Sequence, residues 1–334
     1  MKSDELKMAG NVHQSDPDRM TMRRTSALLL VLAFACCASA GAQDLYKYQD
    51  ADGNWIFSDR PPEDGQTAES RELEVTQSEE GAVVDVTHSH LGRTVLLTAR
   101  NDFFAPVELR LEITESESLE LPGPDHPMTW VLPPQSTTNL LQLTILEGGE
   151  DPFLEYGFRY MPGDPRATHE APRPYRAPFA KSSDHRVTQA FPDKITHAAA
   201  DSYYAVDIAM PVGTDIVAAR DGVVFDIASK NYRSGQSAEE DGPAANVVRI
   251  LHDDGTYAIY AHLNTNTIRV RPGDVVERGQ YIADSGNTGF SSGPHLHFAV
   301  VRNVGLRVES VPIEFLGVNS QSVTAAAGEF LAAY

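Results

Sequence analysis

The sequence predicts a mainly β protein of several modules, and three observations carry that prediction. Short apolar runs alternate with polar residues and are separated by turn residues, often Asp-Gly. Helical periodicity is almost absent. A cluster of prolines (Pro162, Pro165, Pro172, Pro174 and Pro178) divides a β-sandwich-like region from a domain of mostly short antiparallel strands. At 334 residues the chain is too long for one ordinary domain. Its formal charge of −20 disfavours a nucleic-acid partner.

The first 42 residues read as a secretory signal region. Met22-Arg23-Arg24 is basic, Ser26 to Ala35 is apolar, and Ala38-Ser39-Ala40 or Ala40-Gly41-Ala42 offers a small-residue cleavage site. The apolar run is too short to span a bilayer. The polar residues ahead of Met20 do not belong in such a signal, so translation is expected to start at Met20 or Met22. The only cysteines, Cys36 and Cys37, fall inside this segment, so disulfides are excluded from the mature chain. The signal points to work outside the cytoplasm, in the periplasm.

Residues 44–66 form a small hairpin module. Two short alternating runs, from Leu45 and from Trp55, flank Asp52-Gly53. Thr67 to Gly81 is polar and acidic and reads as a linker. Residues 82–162 alternate like a β-sandwich, with runs at Val83–Val86, Thr94–Ala99, Val107–Ile113 and Leu140–Leu146. His88 and His90 make a His-x-His pair in this region. No carboxylate or glycine signature accompanies them, so exposed strand histidines are expected. This β region could also hold a protein partner. Residues 163–178 read as a stiff linker.

The C-terminal domain is assigned to residues 179–317, with 318–334 as a tail. Tyr204 to Pro211 reads as a strand carrying one carboxylate, Asp207. Ile216 to Asp226 reads as a hairpin around Asp221-Gly222, and Asn246 to His262 as another around Asp254-Gly255. Ser229 to Ala245 is a polar insertion. His252 falls in a hairpin strand and is given a structural role, while His126, His169 and His185 are placed in solvated loops.

Gly293-Pro294-His295-Leu296-His297-Phe298 is the second His-x-His. It opens an apolar, β-branched run that reads as a strand, so His295 and His297 point to one face and Leu296 to the other. Two imidazoles on one face can share a site, and imidazole is both a zinc ligand and a general base.

These motifs recur in an order that resembles the lysostaphin-type (LytM) zinc endopeptidases. The order is Val206-Asp207-Ile208-Ala209, Pro211-Val212-Gly213-Thr214, Tyr260-Ala261-His262-Leu263, Gly279-Gln280, Gly286-Asn287-Thr288-Gly289, and then the second His-x-His. The resemblance covers about 120 residues and does not reach 44–175. It implies an antiparallel β-sheet domain with a groove, and a metallopeptidase with one zinc that cleaves peptide cross-links of bacterial peptidoglycan through a zinc-activated water. Asp207 and His297 match family zinc ligands, and His262 and His295 match its catalytic histidines. Gly286, Gly289 and Gly293 are expected to permit tight turns and close approach beside the site.

One departure affects the ligand set. The family's usual first zinc histidine stands four residues before the aspartate, where this chain has Tyr203, and a neutral phenol is a poor ligand. A subgroup carries its histidine after a Gln-x-Phe segment, and Gln189-Ala190-Phe191 followed by His197 is similar to it. His197 is then the third ligand, provided the chain reverses over 198–202. Tyr203 is expected to line the groove without binding metal. The alternative is a degenerate, non-catalytic domain that binds peptidoglycan or activates another wall hydrolase. A biotinyl or lipoyl carrier module is set aside, because no lysine stands at a hairpin tip.

Overall fold

The computed structural model describes residues 82–334, except 124, 125, 127, 149–151 and 194, together with the backbone of short strands before them. The signal region and both possible start sites lie outside the described residues, as does the Asp52-Gly53 turn. The chain divides into two compact units, residues 19–81 and the remainder.

In the first unit, β1 (Asp44–Gln49) pairs antiparallel with β2 (Trp55–Ser58), and Tyr46 stands opposite Ser58. β3 (Glu69–Glu72) pairs with the other edge of β1. The polar stretch after Thr67 is therefore partly strand rather than all linker. Its ladder needs only backbone donors and acceptors from the open edge of β1, not an apolar pattern.

The second unit begins with two facing sheets. β4 (Val84–Leu91), β5 (Thr94–Asn101), β9 (Ser136–Ile145) and β7 (Leu119–Glu120) form one, in the order β4-β5-β9-β7. β10 (Phe153–Pro162), β6 (Val107–Glu117) and β8 (Thr129–Leu132) form the other, with His13–Gln14 at its outer edge. Alternate side chains turn inward: Val95, Leu97 and Ala99 from β5 meet Val107, Leu109 and Leu111 from β6 in one apolar core. This is the sandwich that the alternation predicts.

The rest of the unit is a nine-stranded sheet. Its strands are β11 (Asp184–Gln189), β12 (Val206–Ala209), β14 (Gly222–Ala228), β15 (Val247–Leu251), β16 (Tyr257–Ala261), β17 (Val275–Val276), β19 (His295–Asn303), β20 (Val308–Ser310) and β21 (Phe330–Ala332). The order is β17-β14-β15-β16-β19-β12-β11-β21, and β20 pairs with β19. β13 (Asp215–Val217) pairs with β18 (Tyr281–Asp284) in a separate small sheet.

The hairpin expected over 216–226 is thus corrected: β13 and β14 have different partners. Gly222 serves close packing rather than a turn. A Cβ there would stand 2.3 Å from the Leu251 carbonyl oxygen. The hairpin over 246–262 forms as expected, with Gly255 at φ +80° in its turn.

The strand parity of β19 divides two environments. Leu296, Phe298 and Val300 enter the core on one face of the large sheet. Ala299 and Val301 enter the core that the sandwich shares, together with Ala205, Phe225, Tyr257, Ile259 and Ala261. The sandwich therefore packs on the face to which His295 and His297 belong. A buried polar contact ties the two: the Asn303 amide donates to Glu108 Oε2 at 2.8 Å and to the Gly163 carbonyl at 3.0 Å. The Leu306 N–H also donates to Glu108 Oε2, at 2.7 Å.

Residues 163–178, read as a linker, are packed: Tyr175 and Ala177 are buried, and Tyr175 N donates to the Glu314 carbonyl. The segment read as a tail places β21 against β11 at the far edge of the sheet. Neither has the periodicity that sequence reasoning reads, because each adds only a few residues to a core supplied by other elements. No helix among the described residues is long and apolar enough to cross a membrane.

Candidate metal centre

The register of β12 against β19 sets Asp207 directly opposite His297 and Ala209 opposite His295. Directly opposed residues of an antiparallel pair share a face with their Cβ atoms about 5 Å apart, so a carboxylate and two imidazoles converge from adjacent strands. β16 lies on the other side of β19, with Ala261 opposite His297. His262, the next residue, leaves that strand at φ +62°, a left-handed conformation that a side chain rarely adopts. Its ring then stands 4.5 Å from that of His295, centroid to centroid.

His197 arrives from a separate direction. β12 begins at Val206, and residues 198–204 turn back on themselves. The Ser202 N–H donates to the Ala199 carbonyl and the Ala205 N–H to the Ser202 carbonyl. This reversal brings His197 Nε2 to 3.1 Å from Asp207 Oδ2. His197 Nδ1 lies 3.2 Å from the Ala205 carbonyl, so it is the protonated nitrogen and leaves Nε2 with its lone pair. The strand starts only at Val206, so Tyr203 precedes it and alternation does not fix the face it takes. Tyr203 lies in the turn, its ring against Phe191 at 5.4 Å and Tyr204 at 5.0 Å.

Donor atoms from His197, Asp207 and His297 all lie within 4.8 Å of one another. His197 and Asp207 are almost fully buried, at 3 % and 4 % exposure. Two neutral imidazoles and one carboxylate are a donor set suited to zinc. Burial would raise the Asp207 pKa, but the adjacent imidazoles of His197 and His297 outweigh it and hold the carboxyl far below the ordinary range. The carboxylate is thus ionised, as a ligand must be. These residues fit a metal.

The two remaining histidines stand beside that cluster. His262 Nδ1 faces the Thr288 carbonyl at 2.7 Å, and His295 Nδ1 faces the Gly293 carbonyl at 2.8 Å and Ser291 Oγ at 3.2 Å. Each Nδ1–H is therefore committed to a carbonyl, and each Nε2 keeps its lone pair. His295 Nε2 lies 3.9 Å from Asp207 Oδ2. Burial, followed by the neighbouring His295 and His297, pushes the His262 pKa down to about 3.

All five sequence-selected residues come together, and among the described residues the other histidines do not join them. His252 lies at the opposite end of the β15–β16 hairpin. Its Nδ1 faces the Asp221 carbonyl at 2.8 Å, and burial lowers its pKa to about 4. His169 and His185, expected in solvated loops, are corrected. His169 stacks on Tyr175 with Nε2 3.1 Å from its hydroxyl, and His185 lies edge-on to Phe179 at 4.8 Å in β11. Burial lowers both of their pKa values.

Of the three glycines, Gly286 and Gly289 are crowded: a Cβ would come within 2.6 Å of Asn264 N and of Ala245 Cβ respectively. Gly293 faces open space. Sequence reasoning did not single out Thr288 and Ser291 as partners of the histidines. Thr288 lies inside the Gly-Asn-Thr-Gly motif, which was the available signal. Ser291 had none.

A β-sheet domain carrying a His-Asp-His cluster with two further histidines beside it is the class of site that the fold defines. Residues 201–309 match the model of peptidase family M23. The match begins four residues beyond His197. Residues 32–82 match a domain of unknown function, DUF4124. Among curated relatives, glycyl-glycine endopeptidase ALE-1 of Staphylococcus capitis is 36 % identical over 103 residues, 30 % of this chain and 25 % of that protein. Peptidoglycan DD-endopeptidase ShyA of Vibrio cholerae is 39 % identical over 95 residues, 28 % of this chain and 19 % of that protein. The chain thus spans about a quarter or less of the length of these two relatives. Among solved structures, the catalytic domain of the prophage-encoded M23 protein EnpA from Enterococcus faecalis aligns with a TM-score of 0.28 and 28 % identity. That alignment covers 44 % of this chain and 93 % of the other.

Proposed function

We propose that the chain is a zinc metalloendopeptidase that hydrolyses peptide cross-links of bacterial peptidoglycan outside the cytoplasm, in the periplasm. The observation that carries this reading is the convergence of His197, Asp207 and His297 beside a second pair of histidines whose Nε2 atoms are unprotonated. The relatives named for peptidoglycan and glycyl-glycine cleavage supply the substrate class.

His197 Nε2, His297 Nδ1 and the Asp207 carboxylate would hold the metal, which when bound supplies Lewis-acid polarisation and lowers the pKa of a coordinated water. His295 Nε2 accepts the proton of the attacking water and returns it to the departing amine. The His262 ring stands beside it, 4.5 Å from the His295 ring and 6.0 Å from that of His297. Their Nδ1–H bonds to the Gly293 and Thr288 carbonyls keep both imidazoles in the tautomer that can take a proton. With His197 and Asp207 buried and His262, His295 and His297 half-buried, the reacting water would be set apart from bulk solvent.

The test is to incubate the mature chain with purified wall sacculi, with and without a zinc chelator, and to identify products by mass. Released cross-link fragments that disappear with chelation are expected. A chain that holds stoichiometric zinc yet releases nothing would favour the non-catalytic, wall-binding alternative.

A further inference from the structure

The pairing between β11 and β12 carries Gln189, which opens the Gln-x-Phe segment but to which that resemblance assigns no role at the site. The register runs Arg186 opposite Ala209 and Val187 opposite Ile208, and then skips Thr188 so that Gln189 stands opposite Asp207. Without that bulge, Thr188 would face Asp207 and Gln189 would point into the core with Val187. A bulge adds one residue to one strand and re-aims the side chains beyond it. Here it moves a glutamine amide onto the face of the metal cluster.

The amide has one possible orientation. Gln189 Oε1 accepts from the backbone N–H groups of Ile195 and Thr196, both at 2.8 Å. Backbone N–H groups only donate, so the atom facing them is the oxygen. The NH₂ group therefore faces Asp207 Oδ2, at 2.7 Å. One planar amide thus grips the carboxylate with its donor and the approach to His197 with its acceptor.

We infer that Gln189 is a positioning residue for the metal centre. It fixes the rotation of the Asp207 carboxylate and, through the same amide, the 195–196 backbone that delivers His197. The inference rests on the metal-centre reading above. The two histidine nitrogens near Asp207 are themselves ligand atoms and turn to a metal when one binds. The amide cannot do so, and it remains the carboxylate's fixed donor. Being neutral, it orients Asp207 without cancelling the charge that attracts the cation.

Two variants separate the halves of this role. Gln189→Glu keeps an acceptor for the Ile195 and Thr196 N–H groups and removes the N–H donated to Asp207. Gln189→Met keeps the length and removes both. Zinc affinity is measured by chelator competition, and the visible spectrum is recorded with cobalt(II) in place of zinc. Outer partners of metal ligands typically account for about 10–100-fold in affinity or activity. Both variants are expected to weaken zinc in that range and to shift the cobalt bands, with kcat falling more than KM changes. If the parent binds zinc and both variants bind it equally with an unchanged cobalt spectrum, this inference fails alone. If the parent binds no zinc, the metal-centre reading fails with it.

Discussion

The chain contains two His-x-His pairs on strands, His88 and His90 on β4 and His295 and His297 on β19. Each pair points to one face by the same alternation. Their neighbours differ. His88 stands opposite Leu97 and His90 opposite Val95, and both histidines are exposed, their rings 6.0 Å apart. His297 stands opposite Asp207, and two further chain segments bring His197 and His262 alongside. Among the described residues, only the second pair contributes to a group of metal-binding donors. The spacing supplies a shared face in both cases. What makes a site is the cross-strand carboxylate and the segments that close over it.

The largest expected effect breaks that comparison directly. His297→Ala and Asp207→Ala each remove one of three converging donors, and zinc content and wall hydrolysis should both fall to background. His88→Ala and His90→Ala should leave both at the parental level. Metal analysis and sacculus digestion on the same preparations check this. Loss of zinc in His90→Ala would show that spacing alone was enough.

The next effect divides the second pair internally. His295→Ala and His262→Ala remove groups assigned to proton transfer, so zinc should stay bound. Hydrolysis should fall by roughly 10²–10⁴-fold, the usual contribution of a positioned acid or base. Metal loss in His295→Ala would exchange its role with that of His297.

The comparison also shows what the sequence could carry. Strand parity was readable, because it needs only consecutive residues: His295 and His297, and likewise Leu296 and Phe298, separate onto the faces that alternation predicts. Asp207, His262, His295 and His297 were legible because their motifs recur in a fixed order. The packed segment around Tyr175, the β21 edge strand and the partnership of β13 with β18 were not. Each depends on a tertiary neighbour distant in the chain, as with Tyr175 and Glu314. The same holds for Gln189, whose orientation depends on a single skipped residue in a ladder. His169 and His185 were misplaced for the same reason: the rings that cover them, Tyr175 and Phe179, lie in a segment that reads as loop.

The smallest expected effect concerns Tyr203, and it sharpens the assignment of the third ligand. Tyr203 occupies the position where the resemblance calls for a histidine, while His197 lies outside the matched residues 201–309. The two candidates differ in surroundings. His197 is 3 % exposed and directs Nε2 at Asp207 from 3.1 Å, whereas Tyr203 is 37 % exposed and packs tilted against Phe191 and edge-on to Tyr204. A phenol ionises near pH 10 in water, so it offers little anionic oxygen at neutral pH. Tyr203→Phe keeps the ring and its packing and removes only the hydroxyl. Substitutions of this kind at half-exposed positions usually change stability by no more than about 0.5 kcal/mol. Zinc content should equal that of the parent and the rate of wall hydrolysis should stay within about threefold of it, because the removed hydroxyl is neither a metal ligand nor a proton carrier in this assignment, and threefold is less than about 1 kcal/mol of barrier. His197→Ala, measured beside it, should lose both. Zinc lost from Tyr203→Phe and kept by His197→Ala would move the third ligand back to the turn and leave the 198–204 reversal without a role in binding metal.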